Sequence, residues 1–180
     1  MNFELLETPN LILRKITPET YEFVFHHYND NDLKTFFGFS KNEELDKEKE
    51  KLKKGLTTYN RSFVNFQILD KETGDIIGAC GFHTWSFEHH RAEIGYALNS
   101  DEHMGKGIMT ETLKAVIDYG FKTMNLNRIE ALIGPKNEAS LRLVEKFNFT
   151  REGLLRQHYF KNNVMEDSVI YSLLRVEYNQ

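Results

Sequence analysis

Cysteine is nearly missing from this sequence: Cys80 is the one thiol in 180 residues. An internal disulfide is therefore excluded, and a reducing compartment fits. Proline occurs three times and tryptophan once, at Trp85. No linker, low-complexity stretch or internal repeat stands out. Long apolar runs are missing too, and none reaches the roughly 20 residues that a membrane-spanning helix needs. There is no basic surplus: 23 Lys and Arg face 27 Asp and Glu, for a formal net charge of -4. That balance argues against nucleic acid held on a basic face. The opening "MNFELLETPN" lacks the charged and then apolar regions of a secretory signal. A cytoplasmic protein with no membrane partner and no direct nucleic-acid partner is the expectation.

What is present is an ordinary globular composition, 40% hydrophobic and 28% charged. The length suits one domain over residues 1–180 with a sizeable core. "NLILRKI" (10–16) reads as a first strand. Thr17-Pro18 starts a helix that runs to about Asn29. The charge-dense 42–60, with Leu45, Leu52 and Leu56 at helical spacing, reads as a solvated surface helix. Strands follow at 62–70 and 76–85, joined by the turn "KETGD", then at 90–98. Residues 108–125 form a helix whose apolar stripe is Met109, Leu113, Val116, Ile117, Phe121 and Met124. A strand at 128–134 precedes a short helix in 137–149 capped by Asn137, and a final hairpin pairs 150–160 with 164–174. The order predicts one α+β domain with a mixed sheet.

The stretch "EHMGKGIMTET" (102–112) puts Gly105 and Gly107 directly before that long helix. A helix start offers unpaired N–H groups and the positive end of its dipole. Two glycines permit unusual backbone angles or the close approach of a phosphate. The spacing is neither that of a P-loop nor G-x-G-x-x-G, since Thr110 stands where a third glycine would be. From the loop alone, a phosphate nest and a simple glycine hinge both remain open.

Together with "GPKNEASLRLVEKFNF" (134–149), the loop resembles the GNAT superfamily of acyl-CoA-dependent N-acetyltransferases. Asn137, Ser140, Leu143, Glu145, Lys146 and Phe149 follow that family's second segment, with Asn148 in place of its glycine. Asparagine also tolerates left-handed angles, so the turn should survive. "TPNLILRKIT" (8–17) and the hairpin in 151–178 look like the RimJ/RimL-like branch, which includes ribosomal-protein N-terminal acetyltransferases. The resemblance implies a GNAT-like fold: a mixed, mostly antiparallel sheet of six to seven strands flanked by about four helices.

It further implies acetyl-CoA as co-substrate and no metal. The pyrophosphate would lie over Gly105, Lys106, Gly107, Ile108, Met109 and Thr110. The backbone of Tyr96, Ala97 and Leu98 would hold the pantetheine arm, with Asn137 and Ser140 further along it. The family's usual residues at both ends of the loop pattern are replaced here by Met104 and Met109. Met109 lies on the apolar stripe, which points it to the core as well as to the loop. Ser140 corresponds to a serine placed near the departing thiolate; a hydroxyl that bonds its own helix turn is the alternative. The tyrosine that many family members carry four residues later is Val144 here.

For the proton, Glu93 shares a strand face with Gly95 and Ala97. It would serve as general base, directly or through a water, or else pair with Arg91 or another arginine. Phe37 in "FFGFS" and Trp85, in loops or at strand ends, would line an acceptor pocket or pack in the core. Tyr159 is an acceptor-site candidate or an ordinary strand aromatic. The pairs His26-His27 and His89-His90 lack a matching carboxylate or cysteine pattern for a metal. Cys80 reads as a small buried hydrophobe.

The acceptor would be a primary amine attacked onto acetyl-CoA in a ternary complex. An α-amine ionises about 2.5 units below a lysine amine, so its neutral fraction at pH 7 is larger by roughly a few hundredfold. With a single carboxylate base in view, this favours a protein N-terminus, in line with the ribosomal-protein branch. A polyamine or aminoglycoside remains open, as do a homodimer and a CoA-binding module without catalysis.

Overall fold

The structure is a computed structural model that describes residues 3–53 and 63–178. Its strands are β1 (Leu5–Glu7), β2 (Leu11–Ile16), β3 (Val64–Asp70), β4 (Ile76–Ser86), β5 (Arg91–Leu98), β6 (Arg128–Ile133), β7 (Thr150–Lys161) and β8 (Val164–Leu174). The helices are α1 (Pro18–His27), α2 (Asp30–Phe37), α3 (Asn42–Lys53), α4 (Ile108–Lys122), α5 (Glu138–Lys146) and α6 (Arg175–Tyr178), with a short 3-10 turn at Asp101–His103. The sheet runs in the order β1-β2-β3-β4-β5-β6-β8-β7. β5 and β6 are parallel, whereas β1–β2, β2–β3, β3–β4, β6–β8 and β7–β8 are antiparallel. This is the expected α+β class with a mixed, mostly antiparallel sheet.

The sheet has one strand more than expected, and more helices are present. β1 is three residues long, too short for a periodic pattern to show, and it forms by pairing Leu5 with Arg14. The helix expected to end near Asn29 stops at His27, and a second one starts immediately. Asn29 is the reason: its side chain accepts from the N–H groups of Asn31 and Asp32 at 2.9 and 3.0 Å, an N-cap for α2. Gly38, at φ 73°, closes α2 in the left-handed region. Phe37 therefore sits in the last helical turn rather than in a loop. The tail of the expected 42–60 helix, with Leu56, and Ser62 of the expected strand lie outside the described residues.

The chain clusters into two compact units. The first comprises residues up to Thr84 together with Tyr96–Val116, and the second Trp85–Gly95 together with the chain from Ile117 onward. In the first, Leu11, Leu13, Phe66 and Ile68 are fully buried. A second cluster joins Ile16, Val24, Leu33, Phe36 and Leu45, with the rings of Phe37 and Phe39 packed against it. In the second unit, Ala92, Ile94, Ile129, Ala131, Tyr171 and Leu173 are buried on one face of β5, β6 and β8. Strand alternation sends Arg91, Glu93, Arg128, Glu130 and Ser172 to the opposite face.

Candidate active site

In the first unit, the glycine loop adopts the conformation its composition suggests. Gly105 and Gly107 have φ of 74° and 81°, angles that other residues rarely adopt. No atom lies within 4 Å of a Cβ added at either position, so the backbone there is open to an approaching group. The carbonyl of Gly107 accepts from Glu111 N at 3.0 Å, the first bond of α4. The N–H groups of Ile108, Met109 and Thr110 precede it and belong to the unpaired first turn. Lys106 is exposed, and Met109 and Thr110 are half-buried.

The strand end that leads into the loop is fixed from β4. Asn99 N donates to Ile77 O at 3.0 Å, and Asn99 Nδ2 donates to Ile76 O at 2.9 Å. A Cβ at Gly78 would come 2.5 Å from Ala97 O, so glycine is what lets the two backbones lie this close. These contacts set the position of Tyr96, Ala97 and Leu98.

In the second unit, Asn137 is the N-cap of α5, its Oδ1 accepting from Ser140 N at 3.2 Å. The cap places Ser140 in the first turn, where it is half-buried. Val144 is completely buried, so that position holds a core methyl pair and no hydroxyl. Asn148, at φ 59°, takes the left-handed turn expected of it.

Glu93 is half-buried on β5, in register with Glu130 of β6. Burial first, and the charge of Glu130 second, push its carboxyl up to about 7. Arg91 makes an ion pair with Glu130, Nη1 to Oε2 at 3.1 Å. Arg128 Nε donates to Glu130 Oε1 at 2.8 Å and its terminal nitrogens donate to Glu152, whose carboxyl is held down at about 2. Tyr159, 41% exposed on β7, has its phenol raised by burial and then by the charge of Glu93, so the two groups sense each other.

The remaining expected residues have local partners. The ring of Phe37 packs on Tyr21, Phe25, Phe36 and Phe39 at centroid distances of 5.0–5.5 Å. Trp85 lies near the end of β4 and stacks on Phe87 at 3.8 Å. His27 stacks on Phe23, and His90 Nδ1 lies 3.2 Å from Asn125 O. Cys80 is buried, which raises its thiol.

Three features escaped the sequence reading. Glu130 and its arginines were legible in principle, because "RAE" at 91–93 and "RIE" at 128–130 repeat one pattern on two strands. Glu111, in the first turn of α4, accepts hydrogen bonds from Thr8 and Asn10. His83, half-buried on β4, is pushed down to about 4 by burial and is therefore neutral at pH 7. No local signal marks the last two, since their surroundings come from distant segments.

An open glycine turn before a helix N-terminus and a carboxyl raised by burial are each features of use in acyl transfer to an amine. Comparison with known proteins bears on the same chemistry. Residues 10–150 match the family described as the acetyltransferase (GNAT) domain. The chain is 35% identical to the uncharacterized N-acetyltransferase p20 of Bacillus licheniformis over 97% of its own length and 98% of that protein. It is 33% identical to the uncharacterized N-acetyltransferase YoaA of Bacillus subtilis, over 96% and 98%. The crystal structure of ribosomal-protein-S5-alanine acetyltransferase from Vibrio fischeri superposes with a TM-score of 0.68 at 25% identity, covering 97% of this chain and 98% of that one. The chain belongs to the GNAT superfamily and is an acyl-CoA-dependent N-acetyltransferase.

Proposed function

We propose that the chain transfers acetyl from acetyl-CoA to the α-amine of a protein N-terminus, with a ribosomal protein as the partner class. The observation that carries the reading is the basic carboxyl of Glu93 at about 7. An α-amine, near 7.7–8.0, lies within about one unit of that base, whereas a lysine amine near 10.4 lies more than three units above it. Proton transfer to Glu93 is thus close to balanced for the first and strongly uphill for the second. The likeness to the ribosomal-protein-S5-alanine acetyltransferase supports the same acceptor.

Each residue then has a defined task. The backbone N–H groups from Gly105 to Thr110 hold the pyrophosphate, with Lys106 and the Thr110 hydroxyl beside it. The strand backbone at Tyr96, Ala97 and Leu98 holds the pantetheine arm and directs an N–H to the carbonyl oxygen as it gains charge. Acetyl-CoA supplies the activated thioester. Glu93 takes the ammonium proton and frees the amine. The nitrogen then bonds the carbonyl carbon as the C–S bond breaks, and the second proton it sheds reaches the thiolate by relay, the Ser140 hydroxyl giving its own proton to sulfur and taking that one in return, while Glu93 releases its proton to solvent. Asn137 fixes Ser140 through the α5 cap. Trp85 and Tyr159 in the second unit, and Phe37 in the first, are the apolar candidates for the acceptor.

The deciding experiment is thiol release from acetyl-CoA with a panel of amines: a ribosomal-protein N-terminal peptide, the same peptide with a blocked α-amine and a free lysine, spermidine, and an aminoglycoside. The free α-amine peptide should turn over fastest, and the blocked peptide should be inert. Preference for spermidine or the aminoglycoside would replace this acceptor. Binding of CoA without release for any amine would make the chain a binding module.

A further inference from the structure

We infer that Glu130 is a positioning residue for the acetyl transfer, acting through Glu93 and not on the substrate. The inference rests on the reading of Glu93 as the base.

The geometry comes from strand register. Residues paired on adjacent parallel strands stand about 4.8 Å apart and point to the same face. Glu93 and Glu130 are such a pair. Glu130 is also held in place. Arg91 Nη1 donates to its Oε2 at 3.1 Å, and Arg128 Nε donates to its Oε1 at 2.8 Å, so each carboxylate oxygen has a guanidinium donor. Its side chain is only 17% exposed. Arg128 in turn donates to Glu152 at 2.7 and 2.5 Å, and Ser172 Oγ donates to Glu152 Oε1 at 2.7 Å. Arg91, Arg128, Glu130 and Glu152 sum to zero charge, and they join β5, β6 and β7, with Ser172 adding β8. Tyr159 on β7 is a further titratable group that senses Glu93.

A clamped carboxylate beside Glu93 has a directional effect. Two like charges side by side disfavour the second ionisation. Glu93 therefore holds a proton more firmly than an isolated carboxylate, which makes it a stronger base towards an amine. Because Glu130 is fixed by two arginines, it cannot swing away to relieve the repulsion. A merely structural Glu130 would staple β5 to β6 and leave the proton affinity of Glu93 as it is.

The test uses the intact chain with 13C-labelled glutamate, following the Glu93 carboxyl by NMR titration beside the pH profile of kcat/KM. In Glu130→Gln the Glu93 midpoint should fall by roughly one unit. The rising limb of kcat/KM should move down with it, while the KM for acetyl-CoA stays constant. Glu130→Asp, which keeps the charge, should return both towards the wild-type positions. An unchanged Glu93 midpoint in folded Glu130→Gln would overturn the inference and leave Glu93 as base untouched. A midpoint that moves while the kcat/KM limb stays would instead remove Glu93 as the base, and with it the role of Glu130 in the transfer. Should Glu130→Gln not fold, Arg91→Gln gives the converse test. Weakening the clamp leaves more of the Glu130 charge uncompensated, and the Glu93 midpoint must rise; a midpoint that stays or falls overturns the inference.

Discussion

Asn10 grips both oxygens of Glu111 across 101 residues of sequence: its backbone N donates to Oε1 at 2.8 Å and its Nδ2 to Oε2 at 2.9 Å. Thr8 Oγ1 adds a third bond to Oε1 at 2.6 Å. Burial acts to raise the Glu111 carboxyl, but the Thr8 and Asn10 bonds outweigh it and hold it below the usual carboxylate range. Glu111 stands in the first turn of α4, directly after Thr110. The turn between β1 and β2 thus fixes the helix start whose amides are proposed to take the phosphate.

Glu111→Ala should therefore act at a distance. Losing hydrogen bonds to a charged group costs about 1–3 kcal/mol, towards the low end here because the site is partly solvated. A urea melt should show that loss, and calorimetry should show weaker CoA binding. Lost stability with full CoA affinity would reduce the clasp to a scaffold contact.

Gly107→Val should weaken CoA binding by an order of magnitude or more. Nothing in the protein lies near an added Cβ. The effect would come from the left-handed φ of 81°, which costs an L-residue roughly 1–2 kcal/mol, and from blocking the ligand's approach. Titration of CoA into the folded variant checks it; unchanged affinity would move the pyrophosphate elsewhere.

Ser140→Ala should lower kcat by about tenfold or more and leave the KM for acetyl-CoA nearly constant, because the role proposed for the hydroxyl is exerted only as charge develops on sulfur. The α5 cap should persist, since Asn137 receives the Ser140 backbone N–H and not the hydroxyl. Wild-type kcat in this variant would mark Ser140 as a helix-turn residue.

Glu93→Gln combines rate and stability. The rate at pH 7 should fall by roughly 10²-fold, with less loss at high pH, where the amine deprotonates unaided. In the wild type, kcat/KM should rise as Glu93 ionises near 7. The stability sign is opposite. A carboxyl whose folded value is raised from 4.5 to about 7 favours folding in its protonated form. That contribution is complete below about 4.5 and is lost as pH rises through about 7. The wild-type melting temperature should therefore fall between pH 5 and 8 by more than that of Glu93→Gln. Parallel melting curves, with equal rates, would return Glu93 to the scaffold.

Much of the fold is legible residue by residue. The caps at Thr17 and Asn137, the apolar stripe of α4 and the turn residues of the last hairpin are local signals, and local geometry satisfies them. α2 was not expected from the sequence, although Asn29 and Gly38 are its own start and stop marks. β1 has no pattern of its own and exists through its partner strand.

The site divides along the same line. By itself the sequence determined the left-handed turn at Gly105–Gly107, the helix start after it, the cap over Ser140 and the face on which Glu93 lies, because backbone angles and side-chain alternation depend on near neighbours. Only the tertiary structure decided what surrounds those groups. Arg91 meets Glu130 from 39 residues away, and Glu93 faces a carboxylate because β5 and β6 pair in one register and not another. A shift of one residue would send every side chain of a strand to the opposite face. That register is chosen by the burial of Ala92, Ile94, Ile129 and Ala131 on the far side of the sheet, so the basicity of Glu93 is set by packing that no local stretch of sequence encodes.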